Sequence, residues 1–278
     1  MAEWETKDKV VVITGASDGI GAEAARQLHA KGASVVVVGR SPSKTKAVAD
    51  EISAPFYIAD FARLSDVRAL ASDLGRDFPR IDVLANNAGG ILAKRALTVD
   101  GHEQTMQVNH LAPFLLTNLL IDNLIASKAR VINTSSIAAK VFSKFDINDL
   151  ELTHGYNERI AYGNAKLENI LFTRELHRRF FSRGLTAASF HPGAVATNFS
   201  SESNSAMRIV YRTPLRRLIL IPPSKGADTL VWLASSTPGT DWKSGEYYVK
   251  RSISHAVPPQ ANDPELARLL WEQSESFV

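Results

Sequence analysis

The sequence predicts a doubly wound α/β domain: a parallel sheet of about seven strands with helices on both faces. Three observations predict it. Short β-branched runs without apolar–polar alternation recur along the chain, as strands buried on both faces require. Stretches with helical spacing separate them. Polar and glycine residues gather where four of these runs end, and in an open parallel sheet ligands sit at the carboxyl ends of the strands.

The elements follow in order. Val10, Val11, Val12 and Ile13 open the first strand, a glycine-containing turn follows, and residues 20–30 have helix-forming composition. Residues 34–38 read as the second strand, 42–52 as a helix and 56–59 as the third strand. Leu64, Val67, Leu70, Leu74 and Phe78 carry helical spacing, and 81–85 is the fourth strand. A long helical stretch spans 100–127, with a kink or break expected at Pro113. Residues 130–134 form the fifth strand, 159–183 a long helix and 186–190 the sixth strand. Residues 224–234 read as a helix, 246–249 as the seventh strand and 264–275 as a last helix. No composition shift marks a linker, so one domain accounts for residues 1–278. Two stretches resist assignment, 138–158 and 194–223, and loops of that length are usually functional.

Composition excludes several classes of function. The chain has no cysteine, which removes disulfides, thiolate metal sites and cysteine nucleophiles. Its seven histidines show no ligand pair at helical spacing, so no metal is expected. The net charge of +3 comes with no nucleic-acid motif, and no nucleic-acid partner is expected. Residues 1–9 are polar and lack the apolar core of a secretory signal. No apolar stretch reaches the ~18 residues of a spanning helix, so no integral membrane segment is expected and the expected compartment is the cytoplasm.

The first turn carries the first chemical signal. Thr14 to Gly21 joins a strand to a helix with glycines at 15, 19 and 21. Glycines there allow a tight turn and close approach of a ligand, and the helix N-terminus presents free N–H groups to an anion. The second strand ends in Gly39, Arg40 and Ser41, with Lys44 beyond and no acid. A carboxylate at this point would bind the ribose 2′-hydroxyl of NAD(H). The Arg40 guanidinium suits a 2′-phosphate instead, which favours NADP(H) and leaves NAD(H) as the alternative.

The second signal is Tyr162 with Lys166. An i,i+4 pair shares one helix face and can reach one small site. Alone the pair is unspecific, and its company gives it weight. Asn86, Asn87, Ala88 and Gly89 end the fourth strand; Asn133, Thr134, Ser135 and Ser136 end the fifth. Asn109 lies in the helix between them, and His191, Pro192 and Gly193 end the sixth strand.

On these residues the chain resembles the short-chain dehydrogenase/reductase family, whose fold is a Rossmann-type α/β domain. The likeness runs over nearly the whole chain. Within the family it is similar to the retinol dehydrogenase and WW-domain oxidoreductase branch. Ser136 and Tyr162 stand 26 residues apart, longer than usual. The wording from Ala161 to Arg179, the stretch from Ser189 to Val195 and the tail from Ala267 to Ser274 resemble that branch.

The resemblance implies an oxidoreductase that interconverts an alcohol with an aldehyde or ketone. It implies Tyr162 as general acid/base. A free tyrosine titrates near 10, and work near neutrality needs roughly 3–4 kcal/mol of preferential phenolate stabilisation. Lys166 would supply part of it as a nearby cation and would hold the nicotinamide ribose. Ser136, with Ser135 as the alternative, would donate to the developing oxyanion. Asn109 would hold a water linked to Lys166.

The same resemblance puts Gly15, Ser17, Asp18, Gly19 and Ile20 against the cofactor. Asp60, beside Phe61, would accept from the adenine amino group, and Asn87, Ala88 and Gly89 would line the ribose. Pro192, Gly193, Val195 and Thr197 would meet the carboxamide side of nicotinamide. Three positions depart from the family pattern: Ala165, Glu168 and Asp18, the last where some NADP-preferring relatives carry a basic residue. A homodimer or homotetramer is expected from the same likeness. Residues 194–223 would form a substrate lid with Arg208, Arg212, Arg216 and Arg217 on its outer face, and an apolar lid implies a lipophilic substrate. The rival function is a non-catalytic NADP(H) sensor on the same scaffold.

Overall fold

Both faces of the sheet are covered by helices, and this is why its strands do not alternate. The computed structural model describes residues 6–92, 94–193 and 221–278. The strands are β1 (Val10–Thr14), β2 (Ser34–Gly39), β3 (Phe56–Ile58), β4 (Val83–Asn86), β5 (Arg130–Thr134), β6 (Thr186–His191), β7 (Tyr247–Val249) and β8 (Ser252–Ile253). They lie in the order β3-β2-β1-β4-β5-β6-β7-β8. The seven expected strands pair in parallel. The eighth was not expected: Ser252 and Ile253 fold back antiparallel on β7, a piece too short to show a period.

The helices are α1 (Gly19–Ala30), α2 (Pro42–Glu51), α3 (Leu64–Asp77), α4 (Gln104–Met106), α5 (Ala112–Leu119) and α6 (Ile121–Ala126). After β5 come α7 (Ala138–Val141) and α8 (Glu158–Phe180), and after β6 come α9 (Pro223–Gly226), α10 (Asp228–Ser235) and α11 (Pro264–Phe277). Val11, Ile13, Val35 and Val37 are buried on one face with Leu28 of α1 and Leu230 of α10. Val12, Val36, Leu84 and Val131 are buried on the other with Val67 of α3, Leu116 of α5 and Phe172 of α8. Successive residues of one strand thus enter opposite cores, and each such side chain contributes about 1.5–3 kcal/mol on burial. Strand order reverses between β1 and β4, which places the ligand crevice at their carboxyl ends.

The expected helix over 100–127 is divided. α4 runs into a π-helical turn at Gln107–Leu111, then into α5, and Leu120 separates α5 from α6. Pro113 stands in the first turn of α5. It has no N–H for the carbonyl of Asn109 four residues earlier, and a wider turn accommodates its ring. Asn169 of α8 donates to that carbonyl instead, at 3.1 Å.

Three further sequence expectations shift. The stretch 138–158 contains the short helix α7, and 224–234 is two helices rather than one, α9 and α10. The 159–183 helix ends at Phe180, followed by a 3₁₀ turn over Phe181–Arg183. Across the outer face of α8 and α5 lies α11. Its Trp271 ring packs against Phe114 at 5.0 Å and Phe172 at 5.7 Å, and Arg179 stacks over it at 4.5 Å.

Candidate active site

The glycine turn after β1 is built into the sheet by side-chain hydrogen bonds. Thr14 Oγ1 accepts from the backbone N–H groups of Asn87 and Ala88, each at 3.0 Å. Asn87 Nδ2 donates to the carbonyls of Thr14 at 3.0 Å and Gly15 at 3.3 Å. Thr134 Oγ1 reaches Asn87 Oδ1 at 3.4 Å. Asn87 therefore ties the ends of β1, β4 and β5 together. Gly21 and Gly39 are among the glycines required by space. A Cβ on Gly21 would come within 2.3 Å of the Gly15 carbonyl oxygen, and one on Gly39 within 2.4 Å of Thr45 Oγ1. Gly15 and Gly19 adopt φ of 64° and 55°, the region glycine favours.

This turn ends at the N-terminus of the 12-residue helix α1, and Ser17 and Ile20 flank it half-buried. The helix start and the glycine cradle fit the phosphates of a dinucleotide. Asp18 caps the same helix, accepting from Gly19 N at 2.7 Å, and pairs with Lys44 at 3.1 Å. Arg40 is exposed just beyond β2. Asp60 accepts from Ala62 N at 3.1 Å, and Phe61 beside it is buried.

The centre of the site is set by α8. Asn157 caps this helix, accepting from the N–H groups of Arg159 and Ile160 at 3.0 and 3.3 Å. Tyr162 follows in the next turn, 7% exposed, and Lys166 stands one turn later, 1% exposed. Lys166 Nζ donates to the Thr134 carbonyl at 3.1 Å and lies 5.4 Å from the centre of the Tyr162 ring. Burial pulls its pKa down to about 7, with Glu168 opposing the shift. A buried amine with one carbonyl acceptor is suited to a ligand hydroxyl.

The two serines separate. Ser135 Oγ is buried and donates to the Lys166 carbonyl at 2.7 Å. Ser136 is half-buried, and its Oγ accepts from Ala138 N at 3.1 Å. Only Ser136 of this pair faces partly outward. Asn109 is fully buried and saturated by backbone: Oδ1 accepts from Gly90 N at 3.1 Å, and Nδ2 donates to the carbonyls of Gly90 and Thr105 at 2.9 and 2.8 Å. It clamps the loop after β4 to the π turn. A Cβ on Gly89 would stand 2.4 Å from Asn109 Oδ1 and 3.2 Å from Lys166 Nζ, so that loop passes close by the lysine.

At the end of β6, burial holds His191 down at about 4. Pro192 and Gly193 follow, and a Cβ on Gly193 would meet Ile221 Cδ1 at 2.8 Å. Val195, Thr197, Arg208, Arg212, Arg216, Arg217 and most of the 194–223 segment expected to form a lid lie outside the described residues. Among the described residues no group of three or more His, Cys, Asp or Glu could hold a metal ion.

Sequence reasoning gave no role to three of these residues. Asn169 donates to both the Thr134 and Asn109 carbonyls at 3.1 Å, locking α8 to β5 and the π turn. Its signal was available: it lies three residues after Lys166, on the same helix face. Glu103 caps α4 and is itself buried. Glu168 is 1% exposed and its Oε2 has no hydrogen-bond partner among the described residues. Burial raises its pKa well above the usual carboxylate range, and Glu103 and Glu151 add to the shift.

A crevice at the sheet's switch point, a phosphate-type turn and a buried Tyr–Lys pair define a nucleotide-cofactor oxidoreductase. The chain belongs to the short-chain dehydrogenase family, whose model matches residues 9–208. Members bind NAD(P) and interconvert alcohols and carbonyls on small-molecule substrates. The chain is 41% identical to a Streptomyces sp. (strain C5) protein with the provisional name daunorubicin C-13 ketoreductase DnrU, over 97% of this chain and 92% of that one. It is 35% identical to human retinol dehydrogenase 13, over 97% and 84% respectively.

Among solved structures, a Mycobacterium Paratuberculosis protein without assigned function matches with a TM-score of 0.78 and 31% identity, over 98% of this chain and 94% of that one. A Beutenbergia cavernae protein provisionally described as an NAD(P)-dependent gluconate 5-dehydrogenase, with NADP bound at low occupancy, matches with a TM-score of 0.65 and 27% identity, over 84% of this chain and 92% of that one. No helix among the described residues is long and apolar enough to cross a membrane.

Proposed function

We propose that the chain is an NADP(H)-dependent carbonyl reductase and alcohol dehydrogenase for a lipophilic substrate, with Tyr162 as general acid/base. The observation that carries this is the buried Lys166 ammonium beside the Tyr162 ring, one turn along the same helix. In reduction, Tyr162 gives its proton to the carbonyl oxygen and Lys166 stabilises the phenolate left behind. Ser136 donates to the oxygen as it gains charge. Asn109 and Asn169 hold the backbone around Lys166. The cofactor, when bound, supplies or takes a hydride. Arg40 at the end of β2 supports NADP(H) over NAD(H), through a guanidinium suited to a 2′-phosphate.

The lipophilic substrate is supported by the surface next to Ser136. Ile137, Val141 and Phe142 are all substantially exposed there, Val141 at 59%. Three apolar side chains on one short segment beside the reacting groups favour an apolar substrate body.

The test is oxidation of NADPH and NADH against a panel of lipophilic aldehydes and ketones, with Tyr162→Phe run in parallel. Turnover with NADPH that falls by about 10²–10⁴-fold in the variant, with NADPH binding intact, is expected. Turnover that survives Tyr162→Phe refutes the role of the tyrosine. NADPH binding without turnover on any substrate would favour a sensor.

A further inference from the structure

A row of buried polar side chains runs from Lys166 to the C-terminal helix. The Thr134 carbonyl accepts from Lys166 Nζ and from Asn169 Nδ2, each at 3.1 Å. Asn169 Nδ2 also donates at 3.1 Å to the Asn109 carbonyl, in the peptide that joins Asn109 to His110. His110 Nε2 stands 2.8 Å from Ser274 Oγ of α11. Asn169, His110 and Ser274 are all buried. Two buried atoms in this row have no partner within ordinary hydrogen-bond geometry, Asn169 Oδ1 and His110 Nδ1. Asn169 is also the side chain that acts on the His110 imidazole against the effect of burial.

The proton position on His110 follows from this row. Burial holds the ring neutral, at about 3. With both Nδ2 hydrogens on carbonyls, the Asn169 amide has only Oδ1 left, an acceptor. The Ser274 hydroxyl has one hydrogen and two acceptors beside it, His110 Nε2 and the Leu270 carbonyl at 2.7 Å. If the hydrogen went to Leu270, His110 would donate from Nε2, and two bare acceptors would stay buried at a cost. If it goes to Nε2, the ring proton sits on Nδ1 and Asn169 Oδ1 receives it. The Leu270 carbonyl keeps the helix N–H four residues on.

We propose that Ser274, His110 and Asn169 form a directed hydrogen-bond relay that positions the Thr134 carbonyl on Lys166, so that the C-terminal helix supports the catalytic amine. The inference rests on the role given to Lys166 above. Every donor in the relay points towards that carbonyl, and aligned hydrogen bonds strengthen one another. Asn169 occupies one side of the carbonyl and so limits its grip on the ammonium. The three are positioning residues that act through Lys166. Tyr162 and Glu168, on the same helix, are the titratable groups that face the lysine. β5 and the loop after β4 bring it the neutral Thr134 and Gly89. His110 faces Ser274, Asn169 and the rings of Phe114 and Phe172, each at 6.0 Å.

The test reads the Lys166 amine itself, by NMR of protein labelled at the lysine ε-carbons, with Lys166→Met to assign the signal. Asn169→Leu should raise the titration midpoint by about 0.5–1 pH unit, because the carbonyl then serves the ammonium alone. His110→Phe should move it the same way by about 0.2–0.5 unit. His110→Gln, whose amide donates and accepts in the same two directions, should stay within about 0.1 unit of wild type. Leu124→Ala, a packing loss in α6, should lower the urea midpoint and leave the titration unchanged. An unshifted midpoint in Asn169→Leu, or an equal shift in Leu124→Ala, overturns the proposal. A shift in Asn169→Leu with none in His110→Phe overturns the link to α11. Should Asn169→Leu fail to fold, His110→Phe and Ser274→Ala carry the test, and no shift in either overturns it. Turnover that survives Tyr162→Phe refutes the reaction assigned to the site yet leaves this titration readable, so the two failures are distinct.

Discussion

The charges at the centre of the site and those at its rim live in different surroundings. At the centre, Lys166 and Glu168 are each 1% exposed, and burial pulls the lysine down to about 7 and raises the acid. At the rim, Asp18 and Lys44 form an ordinary ion pair at 3.1 Å, half in water. Two unit charges 4 Å apart interact by about 1 kcal/mol in water and about 4 kcal/mol at an effective dielectric of 20. The centre can therefore set protonation states, which chemistry needs. The rim pair, half in water, should exert only a weak influence that salt controls.

The largest effect that tests this contrast separates two adjacent hydroxyls. Ser136→Ala should lower kcat by about 10²–10³-fold, the range seen when one oxyanion donor is removed. Its stability should change little beyond the loss of one half-exposed hydrogen bond to Ala138 N. Ser135→Ala should do the reverse. It removes a buried hydrogen bond to the Lys166 carbonyl and should cost about 1 kcal/mol of stability, with kcat within about tenfold of wild type. Steady-state kinetics beside urea unfolding reads both quantities. If Ser135→Ala abolishes turnover and Ser136→Ala does not, the assignment of the two serines is exchanged.

A second, smaller effect uses the buried groups behind the centre. His110 is fully buried, with Nε2 at 2.8 Å from Ser274 Oγ and no partner on Nδ1 among the described residues. Burial holds it at about 3. Its folded pKa is depressed, so the unfolded chain takes the proton first. Stability from this group is present above the usual 6.5 and is lost as pH falls towards 3. One proton corresponds to about 1.4 kcal/mol per pH unit, or about 2 kcal/mol between pH 6.5 and 5.

Glu168 has the opposite sign. Its folded pKa is raised, so its contribution is present below 4.5 and is lost as pH rises through the folded value. His110→Gln should therefore flatten the acid-side loss of stability, and Glu168→Gln should steepen it. Urea midpoints at pH 7, 6 and 5 check both; two variants that run parallel to wild type would show that neither group titrates between the folded and unfolded states as burial dictates.

The same contrast explains what the sequence made legible. Strands β1 to β7 and the doubly wound class were readable because Val11–Val12 and Val35–Val36 are apolar on both faces, a pattern few alternatives share. Tyr162, Lys166 and the glycine turn were readable because their chemistry fixes their spacing along one helix or one turn. What stayed hidden depends on tertiary partners. The π turn at 107–111 needs Pro113, Asn109 and the Asn169 amide together. The clamp that Asn109 puts on the loop after β4 needs that loop and the π turn in contact. That Ser135 points at a helix carbonyl and Ser136 does not is invisible in a pair of identical letters. β8 and α7 are two and four residues long, below the length at which a period can be counted.

The smallest effect belongs to the rim, and it is the one that salt should erase. Arg40→Asp replaces a cation suited to a 2′-phosphate with an acid suited to a 2′-hydroxyl. NADPH affinity should fall about tenfold at low salt, and NADH affinity should hold or rise slightly. Because Arg40 is exposed, most of the difference should vanish at 500 mM salt, where the screening length is shorter than the reach of the charge. The losses from Tyr162→Phe and Ser136→Ala should persist there, since their partners are shielded by protein rather than by solvent. The comparison is read as the ratio of NADPH to NADH binding constants across salt, beside kcat across the same range. A preference for NADPH that survives Arg40→Asp, or one that ignores salt, would move selection of the cofactor away from the end of β2 and into the buried part of the site.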